Sequence, residues 1–265
     1  MARRSRLDAE LVRRGLARSR EHAVALIAEG RVAVAGQAAS KPATGVDAGT
    51  PVVVRTDPGE PAWVSRGAHK LLGALDAFRV VVDGRRALDA GASTGGFTEV
   101  LLSRGAAEVV AVDVGYGELA WSLRTDERVR VHERTNVRTL TPDAIGGPVG
   151  LVVADLSFIS LALVLPALAA CAGPAADLLP MVKPQFEVGR ARLGAGGVVR
   201  DPEHRVQAVL DVAHAAAGLG WGGAGVVASP LPGPAGNVEF FLWLRRDAGL
   251  LDEEDVRRAV REGPQ

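Results

Sequence analysis

The sequence predicts a doubly wound α/β domain preceded by a small basic α+β unit, and three observations predict it. From about residue 65, short β-branched and aliphatic runs alternate with helical patterns, as in strands joined by helices across a parallel sheet. The first of those runs ends in a glycine-rich turn, LDAGASTGGFT, at the place where such sheets receive ligands. Charge is also unevenly divided. Residues 1–56 hold 10 Lys or Arg against 5 Asp or Glu, although the 265-residue chain is neutral as a whole. A small basic unit joined to an acidic larger one directs attention to nucleic acid, with ordinary solvated charge as the plain alternative.

Composition excludes several classes. Hydrophobic residues make up 48% of the chain, a globular proportion. Cys171 is the single cysteine, so there is no intramolecular disulfide and no cysteine cluster for a metal, and the five scattered histidines lack ligand spacing. The first 15 residues, MARRSRLDAELVRRG, have no apolar signal core, and the longest apolar run, LALVLPALAACAG, is 13 residues with a proline inside. That is too short to span a bilayer, so the expectation is a cytoplasmic protein with no membrane partner and no metal.

In chain order, RLDAELVRRGLA and SREHAVALIAEG read as two short helices, the first with Leu7, Leu11 and Leu16 toward one face, the second starting at Ser19 and closing at Gly30. RVAVAGQAA turns at Gly36, and TPVVVR is a second strand. These elements define a first domain over residues 1–56. The stretch DPGEPAWV, residues 57–64, has the proline and glycine content of a linker, with Trp63 able to dock it. The second domain covers 65–265. It opens with a helix at HKLLGALDAF, a strand at RALDAGAS and a helix at FTEVLLSRG. Strands follow at AEVVAVDVG, RVRVHERTN, GLVVADLSF and DLLPMVK, then the long helix DPEHRVQAVLDVAHAAAGLG and a last strand, VEFFLWLRR.

The turn after the first strand is not G-x-G-x-x-G, since Ser93 stands where the second glycine belongs. A dinucleotide site is thereby disfavoured. Asp113 ends the next strand about twenty residues on, where a carboxylate accepts hydrogen bonds from ribose hydroxyls, so the pair of features points to an adenosine-type cofactor. Asn136, after VHERT, reads either as a neighbour of the adenosine or as an ordinary turn asparagine. Ser157 and Phe158 are candidate pocket walls.

Two resemblances rest on these residues. Residues 5–56, with the helix pair and the G-R-V-A-V-A-G turn, resemble the S4-type RNA-binding domain, which implies phosphate contacts from Arg6, Arg13, Arg14, Arg18, Arg20 and Arg31. Family members commonly carry Asn where this chain has Ala35, before the turn glycine. DAGASTGGFT is similar to the cofactor turn of the heat-shock-type RNA 2′-O-methyltransferases. That implies a Rossmann-like S-adenosylmethionine-dependent methyltransferase fold, with Asp89, Gly91, Ser93, Gly95, Gly96, Phe97, Asp113, Asn136 and Asp155 at the cofactor S-adenosyl-L-methionine. SRGAHKLL, VVADLSFISL, MVKPQFE and NVEFFLWLRR then supply Lys70, Asp155, Lys183 and Glu239, matching the Lys-Asp-Lys-Glu tetrad of that class. With KPQFE and GGVVRD, nearly the whole chain resembles the TlyA family of ribosomal RNA cytidine 2′-O-methyltransferases, also called haemolysins. Ribosomal RNA and ribosomal subunits are the partners this implies.

The chemistry can be argued separately. The 31 basic residues are 28 arginines and three lysines, Lys41, Lys70 and Lys183. A lysine amine can lose its proton and a guanidinium cannot, so Lys183 is the candidate base for a ribose 2′-hydroxyl; survival of a few lysines in an arginine-rich sequence is the other reading. Lys70 is expected as the neighbouring cation favouring a neutral amine, with Asp155 and Glu239 orienting the two amines. Either carboxylate alone also reads as an ordinary strand-end acid, and Glu239 as a partner of Arg245 or Arg246. Cys171, in an apolar stretch, is not the nucleophile of carbon-5 methylation, and DLSF is not the ending used for transfer to exocyclic amines. The loop EVGRARLGAGGVVR, residues 187–200, is expected either to close over RNA and a flipped nucleotide or to be a plain connector. Two competing functions remain: a membrane-active haemolysin, and a non-catalytic rRNA-binding or ribosome-assembly protein.

Overall fold

The computed structural model describes residues 5–17, 20–47, 49–55 and 63–264. Arg18, the helix start expected at Ser19 and residues 57–62 of the expected linker lie outside the described residues. The chain forms two compact units, residues 1–62 and 63–265.

In the first unit, β1 (Ser5–Arg6) pairs with β4 (Gly45–Val46), and β2 (Val32–Val34) lies between β3 (Gln37–Ala38) and β5 (Val52–Val54). Two helices, α1 (Leu7–Arg13) and α2 (Arg20–Ala28), pack on one another through Leu7, Leu11, Ala23, Leu26 and Ile27. Leu16 falls beyond the end of α1, where Gly15 takes a φ of 69°, and is only half-buried. Val34 faces Gln37 across a two-residue turn in which Ala35 and Gly36 have φ of 49° and 83°. Both residues are left-handed, as a type I′ hairpin requires, so Ala35 keeps the turn at the expense of backbone strain.

The second unit is built on a seven-stranded sheet in the order β11-β12-β10-β9-β6-β7-β8. Its strands are β6 (Arg86–Ala90), β7 (Glu108–Val112), β8 (Val129–His132), β9 (Val149–Ala154), β10 (Ala172–Val182), β11 (Gly222–Ala228) and β12 (Phe240–Arg245). Strands β8, β7, β6, β9 and β10 run parallel, and β12 is antiparallel to both its neighbours. Alternate residues serve opposite faces. Leu151, Val153, Leu179 and Met181 meet α3 (Gly67–Phe78) and α4 (Gly96–Ser103), while Val152, Leu178, Val182 and Phe240 meet α6 (Leu165–Cys171), α8 (Pro202–Gly218) and α9 (Glu253–Glu262). Two short helices, α5 (Trp121–Arg124) and α7 (Pro184–Glu187), lie beyond β7 and β10. Trp63 and Val64 pack against the core of this unit, and Val64 N–H donates to Glu99.

The structure lengthens the expected strand at 177–183 to β10, with an irregular register between Ala172 and Asp177 where GPAAD breaks the apolar run. Cys171 is the last residue of α6 and is buried; burial pushes its thiol up to about 11, which removes it as a nucleophile near neutral pH.

Candidate active site

Strand order reverses at β6, whose neighbours β7 and β9 lead into opposite halves of the sheet, and a crevice opens beyond the carboxyl ends of these strands. It measures about 530 Å³, and its walls include Gly91, Ser93, Asp113, Asn136 and Asp155. Gly91 explains how the crevice is shaped. Its φ is 89°, and a Cβ there would stand 2.5 Å from the Asp155 carbonyl oxygen, so glycine lets the ends of β6 and β9 approach. Gly95, with φ of 99°, likewise leaves no room for a side chain, because Leu119 and Leu123 pack under it.

The expected cofactor residues divide into two groups. Asp113 accepts from Ser93 N–H at 2.8 Å and Gly115 N–H at 2.7 Å, which fixes the glycine-rich turn to the end of β7. Asn136 caps a 3₁₀ turn by accepting from Arg138 N–H at 3.0 Å, and still lines the crevice. Gly96 and Phe97 face away from the crevice. Gly96 packs on Ser65 and Ala68, and Phe97 is buried against Phe241 with ring centroids 6.0 Å apart. Asp89 is fully buried; Thr98 Oγ1 donates to its Oδ2 at 2.7 Å, while Oδ1 has no partner among the described residues. Burial pushes its carboxyl up to about 7, the Asp155 and Asp113 charges act the same way, and the Thr98 bonds oppose them. Glu118 was not anticipated from sequence: it lines the crevice and accepts from Ser93 Oγ at 3.2 Å. Nothing in GYGELAW marks it.

The tetrad residues stand at the same end of the sheet. Asp155 and Lys183 directly follow β9 and β10, and Glu239 directly precedes β12. The antiparallel register pairs Val182 with Phe240, so Lys183 and Glu239 occupy the next facing position. Lys183 Nζ lies 2.5 Å from Asp155 Oδ1 and donates to Ser157 Oγ at 2.9 Å. Lys70, on the first turns of α3, donates to Glu239 Oε2 at 2.5 Å. The lysines are 6% and 8% exposed and Glu239 is 1% exposed, burial that a charge tolerates only with a partner. Each amine is thus paired with one carboxylate, Lys183 with Asp155 and Lys70 with Glu239. Glu239 does not pair with the nearby arginines: Arg245 binds Asp247, and Arg246 lies over the Trp221 ring.

Around this site, Phe158 is 91% exposed, holds a φ of 63° and contacts Phe186 at 5.3 Å between centroids. The 187–200 loop is tied at both ends. Glu187 accepts from Ser160 Oγ and Leu161 N–H, and buried Asn237 accepts from Val199 N–H at 2.9 Å and donates to Gly197 O at 3.0 Å.

In the first unit, two buried acids organise the arginines. Asp8 accepts from Arg6 at 3.1 and 3.0 Å and from Arg20 at 3.0 Å; Glu10 accepts from Arg13 at 2.7 and 2.6 Å and from Arg14 at 2.7 Å. The hydrogen bonds from Arg6 hold Asp8 well below the usual carboxylate range, and those from Arg13 and Arg14 bring Glu10 to about 2. Arg6, Arg13 and Arg20 remain more than half exposed. Arg14 is turned inward, donating also to the Thr50 and Asp47 carbonyls, and Arg31 donates to Arg55 O.

Comparison with known proteins agrees with this layout. Residues 63–246 match the FtsJ-like methyltransferase family and residues 5–52 the S4 domain. The 16S/23S rRNA (cytidine-2′-O)-methyltransferase TlyA of Mycobacterium tuberculosis is 65% identical over 271 aligned residues, covering all of both chains. Hemolysin A of Brachyspira hyodysenteriae is 34% identical over 67% of this chain and 75% of its own. A solved structure of a provisionally named hemolysin from Streptococcus thermophilus superposes with a TM-score of 0.79 at 36% identity, covering 99% of this chain and 96% of that one.

Proposed function

We propose, from the premise that this chain belongs to the FtsJ-like methyltransferase family, that it transfers a methyl group from S-adenosylmethionine to the 2′-hydroxyl of a cytidine in ribosomal RNA. The observation that carries the reading is the Lys183–Asp155 pair beside a crevice of cofactor size. The crevice suits the cofactor chemically as well: it offers carboxylates at Asp113, Glu118 and Asp155 and the Gly91 cradle. Asp113, Ser93 and Asn136 would hold the nucleoside part and Asp155 the amino-acid part. When bound, the cofactor supplies an electrophilic methyl on a sulfonium, which leaves as a neutral thioether.

The chain's own work is on the hydroxyl. A 2′-hydroxyl attacks poorly while it keeps its proton, and the group placed to take or share that proton is Lys183 Nζ. Asp155 and Ser157 fix that amine, and the Lys70–Glu239 pair braces the neighbouring strand end. For this the Lys183 ammonium must first release its own proton to solvent; the neutral amine then takes the hydroxyl proton as the oxygen accepts the methyl. Residues 1–56 serve as the RNA-docking domain, with Arg6, Arg13 and Arg20 contacting phosphate and Arg14 chiefly structural, and the stretch before Trp63 links it to the catalytic domain over 63–265. The natural partner is then a ribosomal subunit or its RNA in the cytoplasm. No described helix is long and apolar enough to cross a membrane.

The test is transfer of labelled methyl from S-adenosylmethionine to ribosomal subunits lacking the modification, with the product nucleoside identified by mass. Label on 2′-O-methylcytidine, lost in Lys183→Ala, is the expected result. Cofactor binding with no transfer to either subunit or to free RNA would remove the enzymatic reading.

A further inference from the structure

Three exposed apolar residues lie within nine positions beyond β7: Val114 at 74% exposure, Tyr116 at 68% and Trp121 at 75%. Isolated surface apolar side chains need no explanation, but two exposed aromatics on one short stretch beside an active-site crevice do. The stretch is not loose. Leu119 and Leu123 are buried under Gly95, Ala120 N–H donates to Thr94 O at 3.1 Å, and Gly117 N–H donates to Glu133 at 2.7 Å. Tyr116 and Trp121 therefore stand on a fixed scaffold, which limits the ordering entropy lost when a ligand lies on them.

A cation accompanies the aromatics. Arg134 adopts a φ of 53° at the end of β8, its N–H donates to Gly115 O at 3.0 Å, and its guanidinium lies 4.3 Å from the Tyr116 ring centroid. A non-glycine residue held in the left-handed region stores strain, here in the residue that places a guanidinium on an exposed ring. The nearby carboxylates are engaged elsewhere: Glu133 with Arg124 and Gly117, Glu118 with Ser93. Arg134 makes no ion pair among the described residues, although its charge also acts on Glu133, and it brings a positive charge to this surface.

We propose that Tyr116, Trp121 and Arg134 form a stacking platform for unpaired RNA bases flanking the target nucleotide, a second RNA contact separate from the first domain. The proposal rests on RNA being the substrate. Exposed aromatic faces beside an arginine suit single-stranded nucleic acid, whose bases stack while its phosphates meet the cation. The position suits it too. The platform lies beyond β7 and β8, and Lys183 lies beyond β10, three strand spacings or about 14 Å from β7 along the same rim, within reach of a few nucleotides.

The test reads tryptophan fluorescence of the full chain rather than methyl transfer. Trp221 is buried and Trp63 and Trp243 are half-buried, so quenching by a stacked base reports mainly on Trp121. A ten-nucleotide cytidine–uridine RNA is expected to quench the native chain saturably. Trp121→Phe should abolish the signal and Tyr116→Ala should weaken binding about tenfold; both positions are exposed, and circular dichroism checks their folding. Linear polyphosphate of matched charge and S-adenosylmethionine alone should leave the signal unchanged. Quenching that persists in Trp121→Phe, equal quenching by polyphosphate, quenching by the cofactor alone, or none by RNA would each overturn the platform. A chain that quenches yet methylates nothing would keep the platform and lose the catalytic reading; one that methylates subunits without quenching would do the reverse.

Discussion

Lys183 and Asp155 each stand one residue beyond the end of adjacent parallel strands, and their Nζ and Oδ1 atoms meet at 2.5 Å, with Ser157 Oγ 2.9 Å from the same nitrogen. That contact fixes the amine from two directions at the rim of the crevice. A guanidinium at this position would keep the positive charge but could not accept a proton. Lys183→Arg and Lys183→Ala are both expected to lower single-turnover methyl transfer by roughly 100-fold to 10,000-fold, while cofactor affinity measured by calorimetry stays within about threefold. A Lys183→Arg variant retaining most of its rate would remove lysine from the proton-transfer role.

The Lys70–Glu239 pair predicts a different pattern. Both side chains are almost fully buried, so Glu239→Gln leaves an ammonium facing a neutral group in the core. Removing one partner of a buried pair is expected to cost about 3–5 kcal/mol, and replacing both with apolar residues of similar size recovers much of it. Urea unfolding of Glu239→Gln and of Lys70→Met/Glu239→Leu checks this: the single variant should be the less stable, and neither should regain native methyl transfer. Equal stability of native and single variant would mean that the pair contributes little to the fold.

How far these features were legible in the sequence depended on local chemistry. The strands β7, β8 and β9 were readable because each carries valines bounded by turn residues, and β6, RALDA, because a glycine-rich turn follows it. Strand β11 escaped notice: GGAGVVA carries glycines where Ala248 and Leu251 press against the backbone, so packing with a distant segment sets its composition. Helix α9 was readable and missed. Asp252 caps it, and Val256, Ala259 and Val260 follow helical spacing onto the core. Lys70, Asp155, Lys183 and Glu239 could be singled out, but their division into two ion pairs depends on the register between β10 and β12, which no local pattern specifies. The inward turn of Arg14 is likewise a tertiary effect, set by carbonyls more than thirty residues away.

Ala35 offers a test of the first unit. It holds a φ of 49° in a turn that needs two left-handed residues, a conformation costing an alanine roughly 1 kcal/mol that asparagine bears more easily. Ala35→Asn is expected to slow hydrogen exchange of the hairpin amides about fivefold without altering exchange in the second unit. Faster exchange would mean that the turn is held by contacts an asparagine disrupts.

Asp89 yields a pH prediction whose sign can be worked out. Burial, assisted by the Asp155 and Asp113 charges and opposed by Thr98, raises its carboxyl from 3.8 to about 7 in the folded chain. The folded state therefore binds a proton that the unfolded state releases between about pH 4 and pH 7, so this group's contribution to stability is fully present below that window and is lost as pH rises through 7. Asp89→Asn removes the dependence and is expected to make the ligand-free chain more stable than native at pH 8, by up to about 4 kcal/mol, with little difference at pH 4. Cofactor binding should respond in the opposite sense. The unpartnered Oδ1 is an acceptor suited to a cationic group, and ionisation strengthens it. S-adenosylmethionine affinity of the native chain should therefore rise between pH 6 and pH 8, while the asparagine variant binds weakly at every pH. Thermal melts and calorimetric titrations across that range check both halves. Parallel profiles for native and variant would show that Asp89 does not titrate near neutrality and that neither effect belongs to it.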